Sequence, residues 1–333
     1  MNRKIIASVL TLLLCIGTTV SSASASDPTK LSGKVVVYMP SPAGLADKIA
    51  AGFEAKTGVK VEQFQGTTGE ILARLETEAV NPVADVVILA SWADGLSMKK
   101  DGKLLSYAPE GSNIMHTAWK DADNTVFGTS ASAVGVIYNI TLFPTLGSDW
   151  HELSDVQYKD NLAIPDPTKS GACKDFLSGF INNKGEAEGW KILEGLAANG
   201  MTVPGANAAA LEAVTTGEKG ILVAGVDYNA YSSIAKGEPL NIYYPRGGTV
   251  INPRPAMILK TSPNTDNAKA FMDYLLSDEA QELVANAYLL PGRSDVVCKN
   301  RANVSEIPVL EIDWEWMMDN ATEIAARLNR ICN

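Results

Sequence analysis

The segment KVVVYMPSPAGLADKIAAGFEAKTGVKVEQF, residues 34–64, contains one strand–helix–strand repeat. The β-branched run Lys34–Tyr38 predicts a buried strand. Apolar residues then recur at helical spacing from Leu45 to Phe53, and Gly58 is placed to end that helix. Alternation over Val59–Phe64 predicts the next strand. Because such repeats place a helix between parallel strands, this opening predicts an α/β fold.

The same order recurs further along the chain. Buried strands are predicted at Asp85–Ala90, Leu162–Pro165 and Ile221–Ala224, and a helical pattern follows each of them. Two extended segments interrupt the order: residues 127–132 are rich in small side chains, and residues 251–255 contain two prolines. We expect these segments to cross between two α/β lobes and to form a two-strand hinge.

The two crossings define the expected domain organisation. Residues 26–128 together with 256–297 are assigned to lobe 1, and residues 129–255 to lobe 2. Residues 298–333 are predicted to be a C-terminal helical segment, which the pattern assigns to neither lobe. Ligands of open α/β sheets bind beyond the carboxyl ends of the strands, so we expect a ligand site between the lobes.

Residues 1–25 have the three parts of a secretory signal peptide. Asn2–Lys4 is basic, Ile5–Ile16 is apolar, and Ala23–Ala25 has the A-x-A form of a cleavage site. The mature chain is therefore expected to begin at Ser26 and to reside in the periplasm. The alternative of a lipid anchor on Cys15 is disfavoured, because leucine and not a small residue precedes it.

The net charge excludes several classes of partner. The formal charge of the chain is −10, and removal of the signal, which contains Arg3 and Lys4 but no acidic residue, changes it to −12. An acidic chain is a poor candidate for binding nucleic acid or an anionic membrane surface. After the signal there is no second apolar run of about 18 residues, so we expect a soluble protein. We also expect it to be a monomer.

Three cysteines remain after the signal: Cys173, Cys298 and Cys332. An odd number in an oxidising compartment suggests one disulfide and one free thiol. Because Cys298 and Cys332 both lie in the C-terminal segment, we expect them to form the bond and Cys173 to be a small buried residue.

Hydroxyl side chains cluster at the predicted strand ends, and several of them directly precede a helix. A helix N-terminus offers unpaired N–H groups and the positive end of the helix dipole, and a hydroxyl adds one more donor, so the combination holds an anion. Each residue alone could be a simple N-cap, and the expected site rests on their convergence. The candidates are Ser41, Thr67, Thr68, Ser91, Thr129, Ser130 and Ser170 with Gly171.

Sequence motifs for catalysis are missing. The chain has no G-x-S-x-G, Walker A, G-x-G-x-x-G, H-E-x-x-H or C-x-x-C motif, and its two histidines, His116 and His151, are far apart in sequence. We therefore predict a binding protein without a cofactor. An exported hydrolase is kept as a remote alternative.

The sequence resembles family 1 extracellular solute-binding proteins of ABC importers, in the ferric-iron-binding-protein-like branch. The resemblance implies an α/β, two-lobed periplasmic-binding-protein-like fold of type II, in which each lobe is a mainly parallel sheet flanked by helices. It also implies an ABC permease as partner. It rests on Lys34–Tyr38, Phe53–Val61, Gly69 with Glu70, Leu75, Asn81–Val86, Ile164–Pro167, Ser170 with Gly171, Lys236–Pro239, Thr249 with Val250 and Pro253, and Leu275–Gln281.

The chain departs from the iron binders of this family at one position. Those proteins have two adjacent tyrosines at the start of the helix after the predicted strand Ile221–Ala224. Here Asp227 and Tyr228 occupy that place. One phenolate with one carboxylate is a small ligand set for ferric iron, which prefers several anionic oxygens.

The departure favours a small anionic organic solute, either a sugar phosphate or a phosphonate. The hydroxyls and helix N-termini are expected to hold its anionic group, with Arg254 on the second crossing as a further candidate. Asp227 and Tyr228 are expected to contact the neutral or cationic end. The alternative is a ferric-iron receptor with Asp227 and Tyr228 as metal ligands.

Overall fold

The structure, a computed structural model, describes residues 31–332. The predicted signal peptide, its cleavage site and Cys15 lie outside the described residues. Ten strands and ten α-helices are described. The strands are β1 Lys34–Met39, β2 Lys60–Gln65, β3 Val86–Ile88, β4 Leu104–Leu105, β5 Phe127–Asn139, β6 Leu162–Ala163, β7 Ile221–Val226, β8 Leu240–Tyr243, β9 Ile251–Leu259 and β10 Leu290–Pro291.

The α-helices alternate with these strands. They are α1 Ala43–Thr57, α2 Thr68–Thr77, α3 Trp92–Lys100, α4 Gly171–Lys184, α5 Glu186–Ala198, α6 Asn207–Thr215, α7 Asp227–Ala235, α8 Thr265–Leu275, α9 Asp278–Asn286 and α10 Trp314–Cys332. Short 3-10 helices lie at Ser112–Ile114, Thr117–Trp119, Trp150–Ser154, Val156–Tyr158 and Val304–Glu306.

One mixed sheet runs through the described chain in the order β2-β1-β3-β9-β5-β7-β6, with β4 added to β9 and with β8 and β10 added to β5. The α/β class is confirmed. The parallel pairs are β1–β2, β1–β3 and β6–β7. The expectation of mainly parallel sheets holds only at these outer strands. The central pairs are antiparallel because β5 and β9 run through the sheet in opposite directions.

The predicted crossings form a single pair of long strands. All 13 residues of β5 and all 9 residues of β9 are buried. The first half of β5 pairs with β9, and its second half pairs with β7 and β8. The β5 register shifts between Gly128 and Ser130, opposite the proline-containing part of β9. Proline has no N–H to donate to the ladder, so a local irregularity is expected there.

The strand β1 is covered on both faces, as its continuous apolar sequence predicts. Val35 and Val37 contact one hydrophobic cluster, and Val36 and Tyr38 contact another. Successive side chains of a strand point to opposite faces, so a strand between two helical layers needs apolar residues at every position.

The helix α10 forms the last part of the C-terminal segment and contacts both predicted lobes. It packs against α4 and α5 and also against α3. Lys100 on α3 forms an ion pair with Asp319, and the Arg327 guanidinium lies 3.8 Å from the centre of the Trp190 ring. None of the helices between residues 31 and 332 has the length and apolarity needed to cross a bilayer.

The expected Cys298–Cys332 disulfide is contradicted by the structure, in which Cys173, Cys298 and Cys332 are all thiols. The Cys298 thiol donates to Leu289 O at 3.3 Å. Cys332 lies at the end of α10, which packs on α4, the helix that contains Cys173. Cys298 and Cys332 lie in the same C-terminal segment, but this did not make them a bonded pair.

Alkylation of the native protein should modify Cys332 first. Cys332 is partly exposed, whereas Cys173 and Cys298 are 0% and 4% exposed. Burial raises the pKa of Cys332 to about 11, so the reaction should still be slow at neutral pH. Mass spectrometry of tryptic peptides after timed iodoacetamide treatment, with urea-unfolded protein as the control, measures the order. If Cys332 does not react and its peptide is found linked to the Cys298 peptide, the predicted Cys298–Cys332 disulfide would be correct after all.

A buried carboxylate joins α3 to α4. Asp175 is fully buried and accepts hydrogen bonds from Ser91 Oγ at 2.7 Å and from Trp92 N at 2.8 Å. Beside it, Lys174 and Asp94 form an ion pair of 2.6 Å. Burial, and then the nearby charge of Asp94, raise the pKa of Asp175 from 3.8 to about 7.

The Asp175→Asn variant should respond to pH differently from the unchanged protein. As pH rises from about 4 to about 7, the unfolded chain loses the Asp175 proton before the folded chain does. The free energy of unfolding of the unchanged protein should therefore fall relative to that of the variant over this window and stay constant above it. Urea unfolding from pH 4 to 8 measures this. Asp266→Asn, whose side chain is 87% exposed, is the control. Parallel curves for Asp175→Asn and the unchanged protein would contradict the shift.

Candidate functional site

A cavity of about 390 Å³ lies where several strand ends and helix starts meet. Its walls come from the segment after β1, the end of β2 and α2 on one side and from α4, α6 and α7 on the other, with β5 and β9 between them. The lining residues are Pro40, Ser41, Pro42, Gln65, Gly66, Thr67, Thr68, Glu70, Ala90, Ser132, Lys169, Ser170, Gly171, Ala172, Ala206, Asn207, Ala208, Val226, Tyr228, Asn229 and Arg254.

Seven of the eleven candidate residues lie in this lining, and they come from distant parts of the sequence. They are Ser41, Thr67, Thr68, Ser170, Gly171, Tyr228 and Arg254. The other four are Ser91, Thr129, Ser130 and Asp227, and they do not line it. We call this cavity the cleft.

Five helices begin at the cleft. Their N-caps are Pro42, Thr67, Ser170, Ala206 and Val226. Thr67 and Glu70 form a capping box on α2, and Ser170 Oγ accepts from Cys173 N on α4. The helices α1 and α6 begin without a side-chain cap. Their first-turn N–H groups, with the positive ends of the helix dipoles, make the cleft suitable for an anion.

Two glycines allow the walls to approach closely. A Cβ on Gly69 would lie 2.7 Å from Thr168 O, and a Cβ on Gly171 would lie 2.9 Å from the Ala90 backbone. Real Cβ atoms essentially never approach backbone this closely, so the starts of α2 and α4 can touch the opposite wall only with glycine there.

Arg254 is the principal charged group of the cleft. It is 1% exposed, and its Nη2 donates to Pro40 O at 2.8 Å. Its Nε has no hydrogen-bond partner among the described residues. Burial lowers the pKa of Arg254, and the neighbouring Tyr228 opposes that change. A guanidinium stays charged in proteins, so this buried cation carries unused capacity to bind an anion.

The Arg254 side chain belongs to a polar face on the two long strands. Arg254 pairs with Ser130, and Asn252 pairs with Ser132. Directly paired residues and residues two apart share one face of a sheet, so all four lie together. Ser132 Oγ, like Asn207 Oδ1 on α6, is buried in the cleft lining without a partner in the described chain.

The charge of the cleft lining is positive. Arg254 and Lys169 are its two cations, and Glu70 is its one carboxylate. Glu70 Oε2 already accepts from Thr67 N at 2.7 Å as part of the capping box. The lining can therefore supply hydroxyls, N–H groups and a guanidinium to a solute, a donor set suited to phosphate or phosphonate oxygens.

Asp227 has a structural role, which corrects the expectation that it faces a solute. Its side chain is completely buried and forms an ion pair with Arg301, whose side chain is also completely buried. Ala133 N and Tyr244 Oη each donate to Asp227 Oδ2 at 3.0 Å. Burial by itself would lower the pKa of Arg301. The neighbouring Asp227 carboxylate outweighs burial, so the pKa of Arg301 is raised. The sequence could not reveal this pairing because the two residues are 74 positions apart.

The other three residues outside the cleft also bond within the protein. Ser91 caps α3 and donates to Asp175. Ser130 pairs with Arg254 and Pro291, and Thr129 O accepts from Gln281 Nε2 at 2.8 Å. The position at a strand end was predicted correctly for Ser91, but the neighbouring helix α4 covers it.

The sequence reasoning missed Lys169, Ser132 and Asn207. Lys169 is next to the candidate Ser170, Ser132 lies two residues after the candidate Ser130, and Asn207 begins α6. Their side-chain directions depend on how α4, α6 and β5 meet, so no local pattern singled them out.

The metal-binding alternative finds little support in the side chains present. Among residues 31–332, no three His, Cys, Asp or Glu side chains cluster so as to hold a metal ion. Tyr228 is the one tyrosine in the cleft lining, and the Asp227 carboxylate is paired with Arg301. Of the two expected metal ligands, Asp227 and Tyr228, only the Tyr228 phenol faces the cleft.

A larger cavity of about 570 Å³ lies between α2, α3 and the end of β9. It contains no candidate residue, and acidic and apolar side chains dominate its lining. The smaller cleft is the better candidate site because the helix N-termini and the buried arginine converge there.

Replacing Asp227 should destabilise the folded protein and not simply weaken solute binding. Breaking a buried ion pair leaves an uncompensated charge, so Asp227→Ala should lower the free energy of unfolding by about 3–5 kcal/mol. Urea unfolding at neutral pH measures this. The control is Glu194→Ala, which removes an exposed pair with Arg327 and should cost less than about 1 kcal/mol. An Asp227→Ala protein with the stability of the unchanged protein would contradict the structural role.

The chain is similar in sequence to known bacterial proteins. The chain is 27% identical over 327 residues to a putative 2-aminoethylphosphonate-binding periplasmic protein of Salmonella typhimurium, covering 92% of this chain and 94% of that protein. It is 27% identical over 264 residues to iron uptake protein A1 of Synechocystis sp., covering 74% of this chain and 72% of that protein.

A solved structure shares the whole architecture. The periplasmic binding protein P5PA superimposes with a TM-score of 0.82 at 20% identity, over 90% of this chain and 100% of that one. The two-lobed periplasmic-binding-protein fold expected from the sequence is therefore confirmed. Residues 81–320, well over half the chain, match the model of one family. The chain belongs to the bacterial extracellular solute-binding proteins.

Proposed function

We propose that this chain is the periplasmic component of an ABC importer and that it captures a small organic solute bearing a phosphate or phosphonate group. The observation that carries the proposal is Arg254, a buried guanidinium at the cleft that has no carboxylate partner among the described residues. A buried charge is costly unless it is paired, so a bound anion would supply the missing partner.

The remaining donors fit the same group. The starts of α1 and α6 offer N–H groups, and Ser41, Thr68 and Ser132 offer hydroxyls around the cleft. Several charge-assisted bonds to one dianion would give both affinity and orientation. The name of the Salmonella relative, a putative phosphonate binder, agrees with this solute class.

Capture would proceed by closure of two lobes about β5 and β9. We assign residues 26–128 with 256–297 to one lobe and 129–255 to the other, so that Thr67 and Ser170 belong to opposite lobes. A solute that contacts both walls favours the closed state by its differential contacts. Delivery to an ABC permease would follow, as it would for an exported protein of this family.

The ferric-iron alternative is supported by the name of the Synechocystis relative. The donor set of the cleft favours the phosphorylated solute, because Tyr228 has no neighbouring carboxylate free to share a metal ion with it. Iron prefers several anionic oxygen ligands, whereas the cleft offers mainly hydrogen-bond donors.

Arg254→Met should weaken binding of phosphate-bearing solutes. Loss of a charge-assisted bond worth about 1.5–3 kcal/mol lowers affinity about 10- to 150-fold. Calorimetry with glucose 6-phosphate, ethylphosphonate and ferric citrate measures it. The free energy of unfolding should not fall, because the substitution removes a buried charge that lacks a carboxylate partner.

The matched control is Arg246→Met, which removes an exposed arginine outside the cleft lining. Unchanged phosphonate and sugar-phosphate affinity in Arg254→Met would contradict the proposal. Tight ferric binding that disappears in Tyr228→Phe would establish the iron alternative instead.

A further inference from the structure

A second cavity adjoins the cleft. It has a volume of about 350 Å³ and shares Pro42, Tyr228 and Asn229 with the cleft lining. Beyond these three residues it extends between α1, the far end of α7 and α9. Because the two linings share these residues, the cavities are neighbours, and the second cavity is the space into which the far end of an elongated solute at Arg254 would extend. We call this space the annex.

Two lysines from different helices line the annex. Lys48 lies on α1, and Lys236 caps the C-terminal end of α7. Neither forms an ion pair or a side-chain hydrogen bond with any residue in the part of the chain that the structure describes. By contrast, Lys174 is paired with Asp94, and Lys99 with Asp121 and Asp123. In an acidic chain of net charge −10, two unpaired lysines facing one cavity form a local site for negative charge.

The linings of the two cavities contain almost no negative charge. Glu70 is the one carboxylate among them, and it is bound to Thr67 N. Asn229 and Ser232 add neutral polar groups to the annex. An ammonium group at the far end of a solute would therefore find two cations and no free carboxylate.

We propose that the annex binds a second anionic group, so that the preferred solute is elongated and carries a negative charge at each end. The first charge is the phosphate or phosphonate at Arg254, and the second is a carboxylate or another phosphate between Lys48 and Lys236. This inference rests on the proposed function, because the first group must occupy the cleft. It excludes aminoalkyl phosphonates as the preferred solutes, including the one in the name of the Salmonella relative.

The second anion would also assist closure. Lys48 and Lys236 lie on different proposed lobes, so closure brings like charges towards each other. In the closed state an anion between the two lysines attracts both of them and removes their repulsion. In the open state it cannot contact both, so the anion stabilises the closed state more than the open state.

The test compares solutes that differ only in the charge of the far end. Calorimetry would use ω-phosphonocarboxylates of three to six carbons and ω-aminoalkylphosphonates of the same lengths. For at least one length the carboxylate should bind about tenfold or more tightly than the amine, the effect of one charge-assisted contact. In the Lys48→Ala/Lys236→Ala double variant this ratio should fall to about one.

The control variant is Lys60→Ala, which removes one positive charge, as each of the two annex substitutions does, but at the far end of β2 from Gln65 and the cleft. It should keep the selectivity of the unchanged protein. Two results would overturn the role of the annex while leaving the proposed function intact. One is that phosphonates require Arg254 but bind equally well with a carboxylate or an amine at the far end. The other is that the ratio of the two affinities is unchanged in the Lys48→Ala/Lys236→Ala variant. No binding of any phosphonate or phosphate would overturn both.

Discussion

The antiparallel pairing of β5 with β9 is the constraint on which the other features depend. These two fully buried strands connect β1, β2 and β3 to β6, β7 and β8, so every wall of the cleft is positioned relative to them. Their pairing also sets Arg254 and Ser132 on one polar face. A register slip of one residue would turn that face over and point the guanidinium away from the cleft.

Two arginines are buried in the described chain, and they show how environment decides the role of one residue type. Arg301 is neutralised by Asp227 in a bonded network that holds α7 against the C-terminal segment. Arg254 donates to a carbonyl and lies 5.9 Å from the centre of the Tyr228 ring, but in the described chain it has no carboxylate partner and its Nε has no hydrogen-bond partner. The first arrangement stabilises the fold. The second keeps a charge available at a site where a solute can complete its coordination.

The helix N-termini at the cleft add partial positive charge to that of Arg254 without adding further buried ions. The walls of the cleft are built from first turns, and the close approach at Gly69 and Gly171 keeps those turns within a narrow space. Backbone N–H groups are fixed by the helices that contain them, so they need little reorganisation when an anion binds. The acidic surface and the basic cleft are therefore compatible, because the local field near the solute differs from the net charge of the chain.

The sequence by itself determined the α/β class, most strand positions, the two crossings and the helix starts with their Ser and Thr caps. These features follow from patterns spanning a few residues, such as the β-branched run at Val35–Val37 or the cap at Ser170. It therefore selected seven residues that do line the cleft. Only the tertiary structure decided that Asp227 pairs with Arg301, that Cys298 bonds to a carbonyl, and that Ser132 and Asn207 face the cleft. The physical reason is that the partners of buried polar groups depend on how elements far apart in sequence pack together. A local periodic pattern does not show which of these elements will meet.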